Sequence, residues 1–492
     1  MVAQQPPTRF AAVAKSNAVK AKQLDSAAGV SGSLVGDSFG HPAEIAVTRE
    51  LLPSAQPSFL HSDRLLARPA QQLSRFLHIE AAGGLLLVAA TVGALAWANS
   101  PWSAGYESLW ATEVRLEVGT YVFEESLAHL VNDLLMALFF FVVGLEIKRE
   151  WVAGDLRDRK AAALPAMAAL GGMIVPALIF AAFTAGGDGG SGWGIPMATD
   201  IAFALGVVAL LGRRVPASVK VLLLTLAIVD DIGAIVVIAV FYTDELDVRF
   251  LLIAAGIVGA VAMFHRIEIT YPPILLGAGL VLWFVVYESG VHATIAGVVM
   301  GLLAPAVARQ TSLEAEEVVD VLESRDDLSA QDIRSTAAAI RGSVSACDRL
   351  IDLLHPWTSY AIVPLFALAN AGIELTSGSV SNPSAVFGGV VGGLVVGKLV
   401  GVTLFSWLAV RLGFGRLPDG AGWGHVVGVA GVAGIGFTVS LFVTGLAYDS
   451  ADLQTDAKVG ILVASVAAAV LGAALLIRAA RRGQPGGFGA PP

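Results

Sequence analysis

Long apolar runs alternate with short polar stretches along most of the chain. Twelve runs stand out: 81–97, 128–145, 161–184, 194–211, 221–242, 250–264, 274–286, 291–303, 357–373, 386–410, 426–447 and 459–477. A helix rises 1.5 Å per residue, so about 20 apolar residues cross a hydrocarbon core of about 30 Å. Most of the runs approach or exceed that length and predict membrane-spanning helices; those at 274–286 and 291–303 are the shortest. Two runs are interrupted: the fourth reads GWGIPMATDIAFALG, with Pro196, Thr199 and Asp200 in its middle, and the eleventh reads GVAGVAGIGFTVSLFV, with Gly431, Gly434, Gly436 and Thr438. Pro and Gly interruptions at corresponding places in two halves of a chain point to broken helices meeting near mid-membrane. Half-helix N-termini there carry partial positive charge and C-termini partial negative charge. Asp200 would offset the former and Lys398 the latter.

The remaining stretches divide the chain. Residues 1–75 are polar and rich in Pro, Ser and Ala, which predicts a disordered tail. Its early basic residues (Arg9, Lys15, Lys20 and Lys22, ahead of Asp25) faintly resemble an organellar transit peptide, although any basic cytosolic tail has the same look. Residues 76–482 make the membrane domain, and 483–492 a short C-terminal tail. The one long connection, 306–354, places apolar residues at helical spacing among many acids and predicts one or two amphipathic cytoplasmic helices. A solvated linker fits that stretch as well as a regulatory segment does.

Composition agrees with a polytopic membrane protein: 55% of residues are hydrophobic, 14% are charged, and the mean hydropathy is +0.73. Cys347 is the single cysteine, which excludes a disulfide framework and a cysteine-based metal site. The sorting of the 31 Lys and Arg residues says more than the net charge of −9. If both termini are cytoplasmic, twelve spans leave only Arg115, Arg249 and Lys458 on the outer side and Lys398 inside a span. That asymmetry is the positive-inside pattern.

Five charged residues fall within runs: Asp133, Asp200, Asp230, Asp231 and Lys398. Each costs about 2.5–3.5 kcal/mol at a helix centre on insertion scales, so such groups face protein or water and mark ion or proton paths. Asp230 and Asp231 are adjacent, and adjacent helical residues point about 100° apart. They must see different surroundings. Lys398, the one intramembrane cation, can pair with only one of them, which leaves the other for an ion. Spacing alone does not say which acid takes which role, and a purely structural salt bridge explains the pair but not the second acid.

At this point the strings FFFVVGLEIKRE, GGMIVPALIF, IPMATDIAFALGVVALLG, LAIVDDIGAIVVIAVFYT, SGVHATIAGV, LHPWTSYAIVPLFALANAG and GIGFTVSLF become informative together. In this order, over residues 75–480, the chain resembles the NhaA-type Na⁺/H⁺ antiporters. The resemblance implies an all-α polytopic fold of twelve transmembrane helices, with inverted repeats in helices 3–5 and 10–12 and broken, crossing helices 4 and 11. It implies that Asp231 is the primary Na⁺/Li⁺ carboxylate, that Asp230 exchanges protons and pairs with Lys398, and that Asp230 and Thr199 join Asp231 in the cation site. Asp200, Lys398 and Gly436 would support the crossing. Glu146, Lys148, Arg149 and Glu150 match a helix end that the family uses in pH-dependent activation, and Asp133 matches an acid of supporting role. Two departures stand out: Leu399 replaces a proline common after the family lysine, and CDRLIDLLHPW lacks a Glu-His pair and offers Asp352 instead. His292 and His355 read more readily as structural histidines than as pH sensors.

The function this implies is export of cytoplasmic Na⁺ and Li⁺ in exchange for external H⁺, electrogenic and pH-regulated, in a plasma or inner cell membrane. The implied partners are Na⁺, Li⁺, H⁺ and the lipid bilayer, with room for a homodimer; no cofactor, nucleic acid or enzymatic activity is expected. Other classes fit less well. An intramembrane aspartyl protease lacks its Gly-x-Gly-Asp partner, and Asp449 lies at a run's end. A retinal-type pump would hold its lysine in the last helix. A cation channel could use the same acids, but would pass Na⁺ without proton counter-transport.

Overall fold

The computed structural model describes residues 82–119, 121–243, 246–267, 272–308, 329–374 and 384–483. The expected tails at 1–75 and, apart from Gly483, at 483–492 lie outside the described residues, as do positions 309–328 of the long connection.

Backbone polar groups find no water in hydrocarbon, so apolar runs close their hydrogen bonds within helices. In chain order these are α1 (Ala82–Ala98), α2 (Ser103–Trp110), α3 (Leu127–Val152), α4 (Arg159–Thr184), a 3₁₀ segment (Gly190–Met197), α5 (Ile201–Leu210), α6 (Ala217–Phe241), α7 (Val248–Arg266), α8 (Pro272–Glu288) and α9 (Thr294–Leu303). There follow α10 (Ala330–Gly342), α11 (Ala346–Trp357), α12 (Val363–Asn370), α13 (Ala385–Arg411), α14 (Trp423–Val432), α15 (Phe437–Ala447) and α16 (Ala451–Gly483). Polar residues at the edges of runs start several of them. The side chains of Asp158, Asp247 and Ser384 accept from the N–H groups of Lys160, Arg249 and Phe387, partners a helix N-terminus otherwise lacks.

Among the described residues, seven helices are long and apolar enough to cross a membrane, or up to nine if α1 with α2 and α14 with α15 each form one bent span. The other three of the twelve runs appear as the shorter α8, α9 and the Thr358–Ile362 π-helical turn that leads into α12.

The all-α expectation needs one correction. Glu113–Val118 and Tyr121–Ser126 pair as an antiparallel hairpin, with Arg115 opposite Glu124. Glu113, Arg115 and Glu117 alternate with Val114, Leu116 and Val118, the period of a strand. Gly119, at φ +66°, opens the turn. Arg115 fastens the pair with an ion contact of 3.3 Å across it to Glu124, and lies 2.6 Å from Glu117 on its own strand.

Helix α4 packs along α13, α3 along α9, and α14 along α16. The first contact is backbone to backbone: a Cβ on Gly401 would lie 2.1 Å from the carbonyl oxygen of Gly171. Small residues allow such approach in membranes, where burial against lipid supplies little drive. The approach carries Lys398, one turn before Gly401, into the core at 0% exposure. Directly before Lys398 the helix widens into a π turn, Gly392–Gly397, a distortion frequent at functional sites.

Candidate functional site

The two interrupted runs meet. Residues 198–200 separate the 3₁₀ segment from α5 in extended conformation, and residues 433–436 separate α14 from α15, whose axes differ by 47°. The breaks bond to each other. The Asp200 N–H donates to the Ile435 carbonyl at 2.6 Å. The Asp200 carboxylate accepts from the Phe203 N–H at 2.9 Å, and from the Thr438 N–H and hydroxyl at 3.0 and 2.7 Å. One buried carboxylate therefore caps the N-termini of both α5 and α15, where partial positive charge favours an anion. Gly436 sits at the second break, where a Cβ would lie 2.3 Å from Ser440 Oγ and 2.8 Å from Leu394.

Beside this crossing, α6 presents its two acids. Lys398 Nζ donates to Asp230 Oδ2 at 2.5 Å and to Thr199 Oγ1 at 3.0 Å. The Thr199 hydroxyl lies 2.7 Å from the same Asp230 oxygen and 2.9 Å from the Ala433 carbonyl, either of which can take its single proton. Thr199, Asp230 and Lys398 are each 0% exposed. Asp230 Oδ1 has no hydrogen-bond partner among the described residues. The Lys398 charge thus goes to Asp230, and among the described residues its link to the carbonyl end of α14 runs through Thr199.

Asp231, 100° around the helix, faces elsewhere. Its carboxylate makes no hydrogen bond among the described residues and lines a cavity of about 50 Å³ with Glu146, Asp200, His355, Thr358 and Thr438. A water needs roughly 10–15 Å³ of such space, so the cavity has room for a few waters or a partly hydrated small cation. The charges acting on Asp231 are those of Asp230, Glu146 and Asp200 on one side and Lys398 on the other. Three acids against one cation make a field suited to a cation, and carboxylate and hydroxyl oxygens suit a hard one. No group of three or more His, Cys, Asp or Glu placed to hold a resident metal ion occurs among the described residues.

The site therefore brings together Thr199, Asp200, Asp230, Asp231, Lys398, Gly436 and, at the cavity wall, Glu146. Lys148, Arg149 and Glu150 continue α3 beyond that wall, with Arg149 and Glu150 3.8 Å apart. Asp352 is exposed and does not line the cavity. The buried face of α11 repeats every four residues, at Cys347, Ile351 and His355, and Asp352 falls off it. Asp133 stays outside the cavity, its carboxylate 3.2 Å from His129 Nε2. His292 lies in the bend between α8 and α9, away from the cavity.

Sequence reasoning passed over Thr438 as a partner of Asp200, the Asn370 amide that donates to Asn132 Oδ1 at 2.7 Å, and Thr358 in the cavity wall. The polar Asn132 and Thr438 inside apolar runs were the available signal.

Fold and site together define a multi-pass helical membrane transporter with a charged crossing at its centre. A profile of the family described as Na⁺/H⁺ antiporter 1 matches residues 74–476, and the chain belongs to that family. It is 49% identical over 413 residues to the Na(+)/H(+) antiporter NhaA of Rhodopirellula baltica, covering 82% of this chain and 93% of that protein. It is 45% identical over 413 residues to Na(+)/H(+) antiporter NhaA 3 of Frankia alni, with 84% and 89% covered. To Na(+)/H(+) antiporter NhaA 2 of Sorangium cellulosum it is 45% identical over 455 residues, with 89% and 97% covered.

Proposed function

We propose that the protein exchanges Na⁺ for H⁺ across a cell membrane, with Asp231 as the carboxylate for which the two ions compete. The observation that carries this reading is the division of labour on α6: Asp230 is tied to Lys398, whereas Asp231 lines the cavity without a hydrogen bond among the described residues. Na⁺ loads on ionised Asp231 with neighbouring oxygens replacing part of its water shell. Protonation removes the charge and lets the carrier return. Asp230 takes part by exchanging a proton as its contact with Lys398 changes, Thr199 holds that contact in register, and Li⁺, a smaller hard cation, uses the same oxygens.

Two carboxylates that bind protons and one monovalent cation make the exchange electrogenic, with more H⁺ than Na⁺ moving per cycle. Each net charge then draws about 2.3 kcal/mol per 100 mV of membrane potential. Activity rises with cytoplasmic pH because the acids must be ionised to load Na⁺, and Glu146, Lys148, Arg149, Glu150 and Asp352 modulate that response. The membrane domain comprises residues 76–482 as twelve spans with inverted repeats, with both termini and the 306–354 connection on the cytoplasmic side of an inner or plasma membrane. The placement of Lys and Arg supports this orientation. A homodimer is the proposed assembly.

The test is proton flux in inside-out membrane vesicles. After acidification of the lumen, added Na⁺ should release the pH gradient, and Asp231→Asn should abolish the release while keeping the fold, since no hydrogen bond to described residues is lost. A flux that ignores Na⁺ would reject the antiporter.

A further inference from the structure

Residues Gly190–Met197 form a 3₁₀ helix of eight residues. Such runs rarely exceed three or four, because their hydrogen bonds are poorly aligned, and a long one needs outside support. Part of the support is the buried Ser440 hydroxyl, which donates to the Ile195 carbonyl at 2.7 Å, and the rest comes largely from two phenols. Tyr242 Oη donates to the Ser191 carbonyl at 2.8 Å and accepts from the Gly194 N–H at 3.1 Å. Tyr448 Oη donates to the Gly189 carbonyl at 2.7 Å. Both tyrosines are buried. They press so closely that a Cβ on Gly192 would lie 2.0 Å from Tyr448 Oη, and one on Gly194 2.6 Å from Tyr242 Oη. Trp193 adds ring contacts with Phe241 and Tyr242 at centroid distances of 5.0 and 6.5 Å.

The origin of the two phenols gives the arrangement its meaning. Tyr242 directly follows α6, the helix that carries Asp230 and Asp231 about 18 Å away along its axis. Tyr448 directly follows α15, the helix whose other end is capped by Asp200. The clamped segment itself runs into Thr199 and Asp200. Helices α6 and α15, which both meet the first break, therefore each end in a tyrosine that grips the segment leading into it.

We propose that Tyr242 and Tyr448 are positioning residues for exchange: their hydroxyls hold Gly190–Met197 in the register that keeps Thr199 on Asp230 and Lys398, and Asp200 on Thr438, and this grip opens and recloses in each transport cycle. This rests on the exchange reading above. A rigid tilt of α6 or α15 relative to the segment must break at least one phenol contact, so the grip is coupled to reorientation by geometry.

The experiment uses the full chain in vesicles. Cys347, the single cysteine, is replaced by serine, and Ile195, 0% exposed inside the clamped segment, is replaced by cysteine as a reporter for a water-soluble maleimide. Tyr242→Phe and Tyr448→Phe keep the rings and remove the hydroxyls. Tyr448→Phe should raise the reporter labelling rate by between about twofold and tenfold, the range for one net hydrogen bond, Tyr242→Phe, which removes two, by more, and the effects should multiply in the double variant. With both tyrosines present, Na⁺ should change the labelling rate, a response that a merely structural contact would not give and that Asp231→Asn should remove. Labelling unchanged by both Phe substitutions, or equal with and without Na⁺, would overturn the proposal. If the double variant does not fold, the two single Phe variants decide: labelling that neither of them raises overturns the proposal. Na⁺-dependent flux that persists while labelling stays unmoved defeats the clamp alone. Absence of Na⁺-dependent flux in the unaltered protein defeats the exchange reading.

Discussion

Removing the ammonium of Lys398 should be among the most damaging single changes in the molecule. Lys398→Met keeps an unbranched chain of similar length. It leaves the Asp230 carboxylate, 0% exposed, with Thr199 as its remaining partner at Oδ2 and, among the described residues, none at Oδ1. Breaking one side of a buried ion pair typically costs about 3–5 kcal/mol, whereas replacing both partners by apolar groups is often neutral or stabilising. Lys398→Met should therefore lose about 3–5 kcal/mol, and Asp230→Leu combined with it should recover at least about 3 kcal/mol of that loss. The assay is a double-mutant cycle on purified protein, with reversible unfolding in mixed micelles titrated with SDS for all four forms. A loss below about 1 kcal/mol for Lys398→Met, or a double variant that loses the sum of the singles, would refute the pairing argument.

Three further outcomes are expected. Asp200→Ala removes the cap of α5 and the acceptor for both Thr438 donors, so melting in detergent should report a loss of about 3 kcal/mol or more, part of which Asp200→Asn restores. Gly401→Ala places a methyl 2.1 Å from the Gly171 carbonyl oxygen and should cost about 1–3 kcal/mol in the same measurement. Burial pushes the Cys347 thiol up to about 11, so at pH 8 a maleimide should leave the native protein unlabelled and react fully once denaturant exposes the side chain.

How much was legible depends on how local each signal is. The seven to nine long apolar helices and both breaks could be read because apolar length and Pro or Gly interruptions are properties of contiguous residues. The different surroundings of Asp230 and Asp231 followed from the helical turn, and the partner of one of them from the scarcity of intramembrane cations. The hairpin at 113–126 is not legible from apolar length, because a polar alternating stretch between spans carries no apolar run. The double cap at Asp200 was not legible in full, since Thr438 lies 238 residues away and meets it only when two breaks abut. Tyr242 and Tyr448, at the ends of runs, look in sequence like ordinary interfacial aromatics. Only the folded chain puts their hydroxyls on the 3₁₀ backbone. Asp352 needed the buried face of α11 to be known before its own position on the other side could be.

The central claim is that Asp231 holds the cation while Asp230 is engaged with Lys398. Isothermal titration of Na⁺ into the purified protein at alkaline pH tests it most directly, comparing Asp231→Asn with the Asp230→Leu/Lys398→Met pair. Binding should vanish in Asp231→Asn and persist in the paired variant. Unchanged Na⁺ binding in Asp231→Asn, or its loss in the paired variant alone, would contradict the assignment.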